Sequence, residues 1–154
     1  MDEIDIKIVN ILQKDGRINY NEIARRLKLA NATIHARIIK LLRRKIIDGF
    51  SANVNPRSVG KSLSFFLSLS IDHTKDDPQQ TINAILKMSD VADVYCVTGD
   101  WDYHVLIHTK DADSMKKIIT EEIKQQLPHV IRSSAQIVLD RGEKPISLKQ
   151  SDSP

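Results

Sequence analysis

The stretch "TGDWDYHV", residues 98–105, gathers the residue types most able to do chemistry: two carboxylates, Asp100 and Asp102, flank the only tryptophan, Trp101, directly after Gly99. Carboxylates one residue apart on a glycine turn suit four roles. They can form an acid and base pair, part of a metal site, an acceptor for the ammonium group of a small molecule, or a plain hairpin turn. Catalysis finds little support around them. His104 is the one base nearby, and the chain has no nucleophile motif and no phosphate-cradling glycine loop. The expectation is a protein that is not an enzyme, with no catalytic residue and no cofactor. His104 and His108 share one strand face, but two histidines without a third ligand more often pack or pair with neighbours, so no metal is expected. The single cysteine, Cys96, rules out an intrachain disulfide, and its setting in "VYCVT" predicts a small core residue rather than a nucleophile.

The charge distribution supplies a second clue. The net charge of +3 hides 13 Lys/Arg against 6 Asp/Glu in residues 1–61, and 10 against 14 in residues 62–154. Residues 17–45 hold nine basic side chains opposed only by Glu22. Such asymmetry suggests a basic module for a polyanion joined to a module with another task. Apolar stretches are broken every few residues by polar ones, and the acidic start "MDEIDIKIVN" lacks the basic and apolar regions of a signal peptide. The expected location is the cytoplasm, with no membrane partner.

Three short helices account for the basic half. Asp2 caps a helix with Ile4, Ile8, Ile11 and Leu12 on one face, and Gly16 of "KDG" is expected to end it in a left-handed cap. "NYNE" reads as a capping box, Asn19 with Glu22, ahead of Ile23, Ala24 and Leu27. From Asn31 to about Arg44 the buried stripe is Ile34, Ile38, Leu41 and Leu42. Asn31, Ala32, Thr33, Ala36, Lys40, Arg43 and Arg44 are left outward, with His35 and Arg37 at the edges.

Two helices with so short a link suggest a helix-turn-helix whose second helix enters the major groove of double-stranded DNA. Ala32, Ala36 and the Thr33 methyl suit thymine methyls, Arg37 suits guanine or a phosphate, and Lys40, Arg43 and Arg44 suit phosphates. A solvated basic helix on an ordinary three-helix bundle is the plainer alternative.

After Asp48-Gly49, Pro56 and Gly60 punctuate a linker. "SLSFFLSLSI" then alternates with period 2: Leu63, Phe65, Leu67, Leu69 and Ile71 against Ser62, Ser64, Ser68 and Ser70, with Phe66 breaking the serine face. A helix capped by Asp77, two strands around the opening loop, a helix started by Asp111 or Asp113, and a last strand follow. The order strand, helix, strand, strand, helix, strand is the ferredoxin-like arrangement, an antiparallel sheet with both helices on one face. The expected fold class is α+β, divided as a helix-turn-helix domain at 1–48, a linker or hinge strand at 49–61, a ferredoxin-like domain at 62–141 and a flexible tail at 142–154.

"MDEIDIKIVNILQKDGRINYNEIARRLKL", "ATIHARIIKLLRRKIIDGFSANVNP" and "TGDWDY" together resemble the leucine-responsive and asparagine-responsive (Lrp/AsnC) family of transcription regulators, from Asp2 to about Arg141. The resemblance implies a sequence-specific regulator whose DNA binding or oligomeric state responds to an amino acid or related metabolite. It implies dimers paired through their sheets, tetramers, octamers or larger rings, and a palindromic operator. Effector contacts carried over from the family fall on Thr98, Gly99, Asp100 and Asp102 and, with no motif to anchor them, on Gln136 and Val138. Two positions depart from the family pattern. Ala30 stands where a serine cap is usual, so Asn31 must cap or the first amides stay open to phosphate, and Lys45 stands where a helix-ending glycine is usual. An assembly or DNA-architectural protein with non-specific DNA binding is the alternative function.

Overall fold

The structure, a computed structural model, describes residues 1–75 and 77–148. Two compact units divide between Ala52 and Asn53, and the chain rejoins the first unit at Gly142. Among the described residues no helix is long and apolar enough to cross a membrane.

The first unit holds α1 (Glu3–Lys14), α2 (Tyr20–Leu27) and α3 (Asn31–Arg43). Helix α1 starts in a capping box, with the Asp2 side chain accepting from the Asp5 amide and the Asp5 side chain accepting from the Asp2 amide. Asn19 caps α2 through the Asn21 amide, but Glu22 does not reach back: it accepts from Arg25 and Arg26 instead. Ile8, Ile23, Ile34, Ile38 and Leu41 are all at most 2% exposed and close the core, with Leu12 and Ala24 beside them.

The left-handed helix ends fall elsewhere than expected. Gly16 is not in the left-handed region; Lys28 and Lys45, both at φ 54°, are. The Leu29 amide reaches the Ala24 carbonyl past Lys28, and the Ile46 and Lys45 amides reach the Leu41 and Leu42 carbonyls. The Leu29 and Ile46 bonds are the six-to-one closures that end a helix at a left-handed residue, with the Lys45 bond nested inside the second, so Lys28 makes the tight turn between α2 and α3.

Residues 44–62, expected to include a linker strand, carry no strand; a 3-10 turn, Pro56–Val59, occupies part of them. Pro56 offers no amide to a ladder, and among the described residues the sheet consists of β-strands that all lie after the segment. Residues 142–154 were expected to be a flexible tail, but the described part, 142–148, lies on α1. Gln13 exchanges two hydrogen bonds with the Ile146 backbone, at 3.1 and 2.8 Å, and half-buried Leu148 packs against the helical core. Residues 149–154 lie outside the described residues.

The second unit has the expected order: β1 (Leu63–Ile71), α4 (Pro78–Leu86), β2 (Val91–Cys96), β3 (Tyr103–Thr109), α5 (Ala112–Lys117) continued by a π-helical turn (Ile118–Glu122) into α6 (Ile123–Gln126), and β4 (Val130–Ile137). The strands are antiparallel in the order β2-β3-β1-β4, as the ferredoxin-like reading requires. Asp77 caps α4 through the Gln79 and Gln80 amides, and Asp111 caps α5 through Ser114. Phe65, Leu67 and Leu69 of β1 pair with Ile107, Val105 and Tyr103 of β3, and all six are buried under the helices. Period-2 alternation leaves Ser64, Phe66, Ser68, His104 and His108 on the opposite face.

Candidate functional site

The first candidate surface is the outward side of α3. Asn31, Ala32, Thr33, His35, Ala36, Lys40, Arg43 and Arg44 are exposed, while Ile34, Ile38 and Leu41 anchor the helix. No acidic residue occurs between Asn31 and Lys45, so the face is uniformly neutral or basic. Ala30 occupies the cap position and makes no side-chain cap bond, so Asn31 does not take over that role one residue later; it is the first helical residue, and its side chain bonds Asn21. The Thr33 and Ile34 amides turn back to the Ala30 carbonyl, leaving the Asn31 and Ala32 amides at the positive end of the helix dipole.

Arg37 departs from the rest of this face. Its Nη1 donates to Asp2 at 2.6 Å and to Asp5 at 2.7 Å, and its side chain is only 26% exposed. Asp5 is buried, and a buried carboxylate requires a cation beside it. The Arg37 guanidinium holds the Asp2 carboxyl below the usual carboxylate value, and the two carboxylates hold Arg37 more firmly charged. Arg37 therefore ties α3 to the start of α1 instead of presenting its guanidinium outward.

The second candidate is the loop between β2 and β3. Gly99 sits at φ 122°, where a side chain would be strained, and Thr98, Gly99 and Asp100 are exposed. Asp102 is engaged by its own chain. One oxygen accepts the Ile71 amide at 2.8 Å, the other lies 3.0 Å from His73 Nε2, and the Asp102 amide donates to the Leu69 carbonyl. Arg132 of β4 braces the other side of the loop, donating to the Asp100 carbonyl at 2.6 Å with its guanidinium carbon 4.3 Å from the centre of the Trp101 ring. Sequence reasoning missed Arg132, because only the β1–β4 register, Ser70 opposite Arg132, brings it to this end of the sheet.

Gln136 and Val138 do not join the loop within one chain. Gln136 pairs with Phe66 on the open face, accepting from Ser68 and donating to Ser134. The Val138 amide donates to the Ser64 carbonyl. Ser64 and Leu69, the β1 residue beside the loop, are five positions apart, roughly 17 Å along a strand. On the same face Ser68 bonds His104 Nδ1 and Ser64 bonds His108 Nδ1, both at 2.8 Å, so the histidines pair with serines. Burial, then the charges of Arg141 and Lys61, lowers the His108 pKa and favours the neutral ring. No group of three or more His, Cys, Asp or Glu capable of holding a metal occurs among the described residues. Cys96, expected in the core, is exposed near the end of the sheet-edge strand β2.

Residues 1–42 match the AsnC-type helix-turn-helix domain, and residues 64–145 match the Lrp/AsnC ligand binding domain. The chain is 34% identical to the HTH-type transcriptional regulator FL11 of Pyrococcus abyssi over 90% of its length and 89% of that protein's. It is 30% identical to the leucine-responsive regulatory protein of Escherichia coli, over 91% and 85% of the two chains. The crystal structure of the Neisseria meningitidis transcriptional regulator NMB0573 in complex with L-Met superposes with a TM-score of 0.85 at 25% identity, covering 97% of this chain and 96% of that one. With a helix-turn-helix unit, a ferredoxin-like unit and relatives matched along nearly the full length, the chain belongs to the Lrp/AsnC family of transcriptional regulators.

Proposed function

We propose that the outward face of α3 reads a palindromic operator in double-stranded DNA and that the loop at 98–102 holds an amino acid whose binding shifts the assembly state. The observation that carries the DNA reading is the acid-free exposed face of α3 on a helix packed by Ile34, Ile38 and Leu41. Ala32, Thr33 and Ala36 allow close approach to base edges, while Lys40, Arg43, Arg44 and the open Asn31 and Ala32 amides suit phosphates. His35 lies beside Tyr20, the ring centroids 6.0 Å apart, and serves at the edge of the contact.

The effector reading rests on the loop's chemistry. Asp100 offers an exposed carboxylate to an ammonium group, Thr98 a hydroxyl, and Gly99 an approach unhindered by a side chain. The L-Met complex of the Neisseria regulator supports an amino acid as the ligand class. Gln136 and Val138 join this site when supplied by a second copy, which is why assembly and ligand binding are coupled. A homodimer, built up into tetramers, octamers or larger rings, presents recognition helices about 34 Å apart or a multiple of that, one helical turn of DNA. A ligand that binds one assembly state better shifts the oligomer equilibrium.

Light scattering with each of the twenty amino acids, followed by DNA selection at fixed salt, tests the proposal. A mass shift with one or two amino acids and an enriched palindrome are the expected results. Sequence-indifferent binding that falls steeply with salt, with no ligand response, would leave a DNA-architectural role instead.

A further inference from the structure

The loop at 98–102 is braced from two sides, and the braces divide its polar groups. Asp102 is committed to the Ile71 amide and His73. That leaves Asp100 as the exposed loop carboxylate. Arg132 is only partly committed. An arginine carries five N–H donors in a planar fork, and the bond from Nη2 to the Asp100 carbonyl uses one of them. The guanidinium carbon lies over the Trp101 ring, 4.3 Å from its centroid, and with the bond to the Asp100 carbonyl this contact restrains the fork beside the loop. A guanidinium held in this way binds a carboxylate with two parallel hydrogen bonds and loses little side-chain freedom in doing so.

We propose that Arg132 is the carboxylate-recognising residue of the effector site, so that the loop selects α-amino-acid zwitterions, with Arg132 taking the carboxylate and Asp100 the ammonium group. This rests on the reading of the loop as an effector site and says which groups divide the ligand. Both charges are anchored on one residue, because Arg132 bonds the main chain of Asp100 itself. A zwitterion carries its two charges one carbon apart and meets both groups together. A keto acid lacks the partner for Asp100, and an amine or amino-acid amide lacks the partner for Arg132. Trp101 serves as the plate on which Arg132 is positioned and, as the only tryptophan, reports from the middle of the site.

The test uses the full-length protein, titrated with the twenty L-amino acids, L-methionine among them, by calorimetry and Trp101 fluorescence. Each amino acid that binds is compared with its primary amide and its decarboxylated amine. Wild type is expected to bind the acid at least tenfold more tightly than the amide. Arg132→Gln should weaken the acid at least tenfold while leaving the amide unchanged, Arg132→Lys should restore part of the difference, and Asp100→Asn should weaken the acid and the amide together. The proposal is overturned if Arg132→Gln binds the acid as wild type does, or loses acid and amide in equal proportion, which would make Arg132 a brace for the loop and nothing more. If no amino acid binds wild type, the effector reading of the loop falls and takes this assignment with it, a result distinct from a normal acid affinity in Arg132→Gln.

Discussion

Replacing Arg37 by Gln separates a residue that contacts DNA from one that holds the recognition helix in place. Removing one member of a fully buried ion pair costs about 3–5 kcal/mol. Here the cost is smaller, because Arg37 is 26% exposed in its side chain and Asp5 keeps the Asp2 amide at 3.2 Å. A loss of about 2 kcal/mol is expected, which for a unit this small lowers the thermal midpoint by roughly 8–16 °C. Calorimetry on the full chain should show that loss in the helical transition only. DNA affinity measured against salt below that transition should keep its slope, since a lost phosphate contact would reduce the slope by about 0.9 per head. Lys40→Gln is the control and should do the reverse, leaving the midpoint unchanged and lowering the slope. An Arg37→Gln protein with wild-type stability and a reduced slope, or with a relaxed base preference at one operator position, would refute the assignment.

Three further expectations follow from the geometry. Asp102→Ala leaves the Ile71 amide without its acceptor and should cost the ferredoxin-like unit about 1–3 kcal/mol, whereas Asp100→Ala should leave its melting unchanged while weakening the effector response; equal melting losses would contradict the division of labour in the loop. Lys45→Gly relieves a left-handed side-chain residue and should stabilise the helical unit by about 0.5–1 kcal/mol after the entropy of glycine is counted, and a lower midpoint would sink the closure described for α3. His108 resists protonation in the fold, so below its ordinary pKa of 6.5 the unfolded chain takes up the proton first and the second unit loses stability as pH falls toward the lowered value. His108→Gln should flatten that acid-side decline in thermal melts, and an unchanged slope would show that another group sets it.

Local signals made most of the architecture legible. Asp2, Asn19, Asp77 and Asp111 all cap helices where the residue pattern puts them, and the alternation of β1 separates its buried and open faces correctly apart from Ser68, which is buried on the open side by its partners. The failures were non-local or sterically atypical. Lys28 and Lys45 adopt a conformation that glycine or asparagine usually marks, and only at Lys45, where the family pattern has a helix-ending glycine, does the sequence point to it. The ion pairs of Arg37 are not legible locally because its partners lie 35 and 32 residues away, although Asp5 falls on the apolar stripe with Ile8, Val9 and Leu12, where an acid calls for a cation. Arg132 depended on strand register, which alternation leaves free by any even shift, so no local pattern brings it to the loop, while Gln136 and Val138 rest on the family resemblance and lie away from the loop of their own chain.

The seat of Leu148 and Ile146 on α1 bears on how this protein is made. The first unit is assembled from the first 52 residues and from the described stretch after Gly142, with the whole of Asn53–Arg141 synthesised in between. At translation speeds of about 5–20 residues per second, a nascent helix-turn-helix waits roughly 5–18 s for its last packing partner. It also waits until the stretch that carries Ile146 and Leu148 has cleared the ribosome tunnel. A message cut short anywhere in the second unit therefore yields a DNA-binding head without that covering, with Gln13 and the apolar side chains beside Leu148 left open to solvent. Such a fragment keeps the recognition helix but lacks the two Gln13 hydrogen bonds and the Leu148 packing that the later stretch supplies.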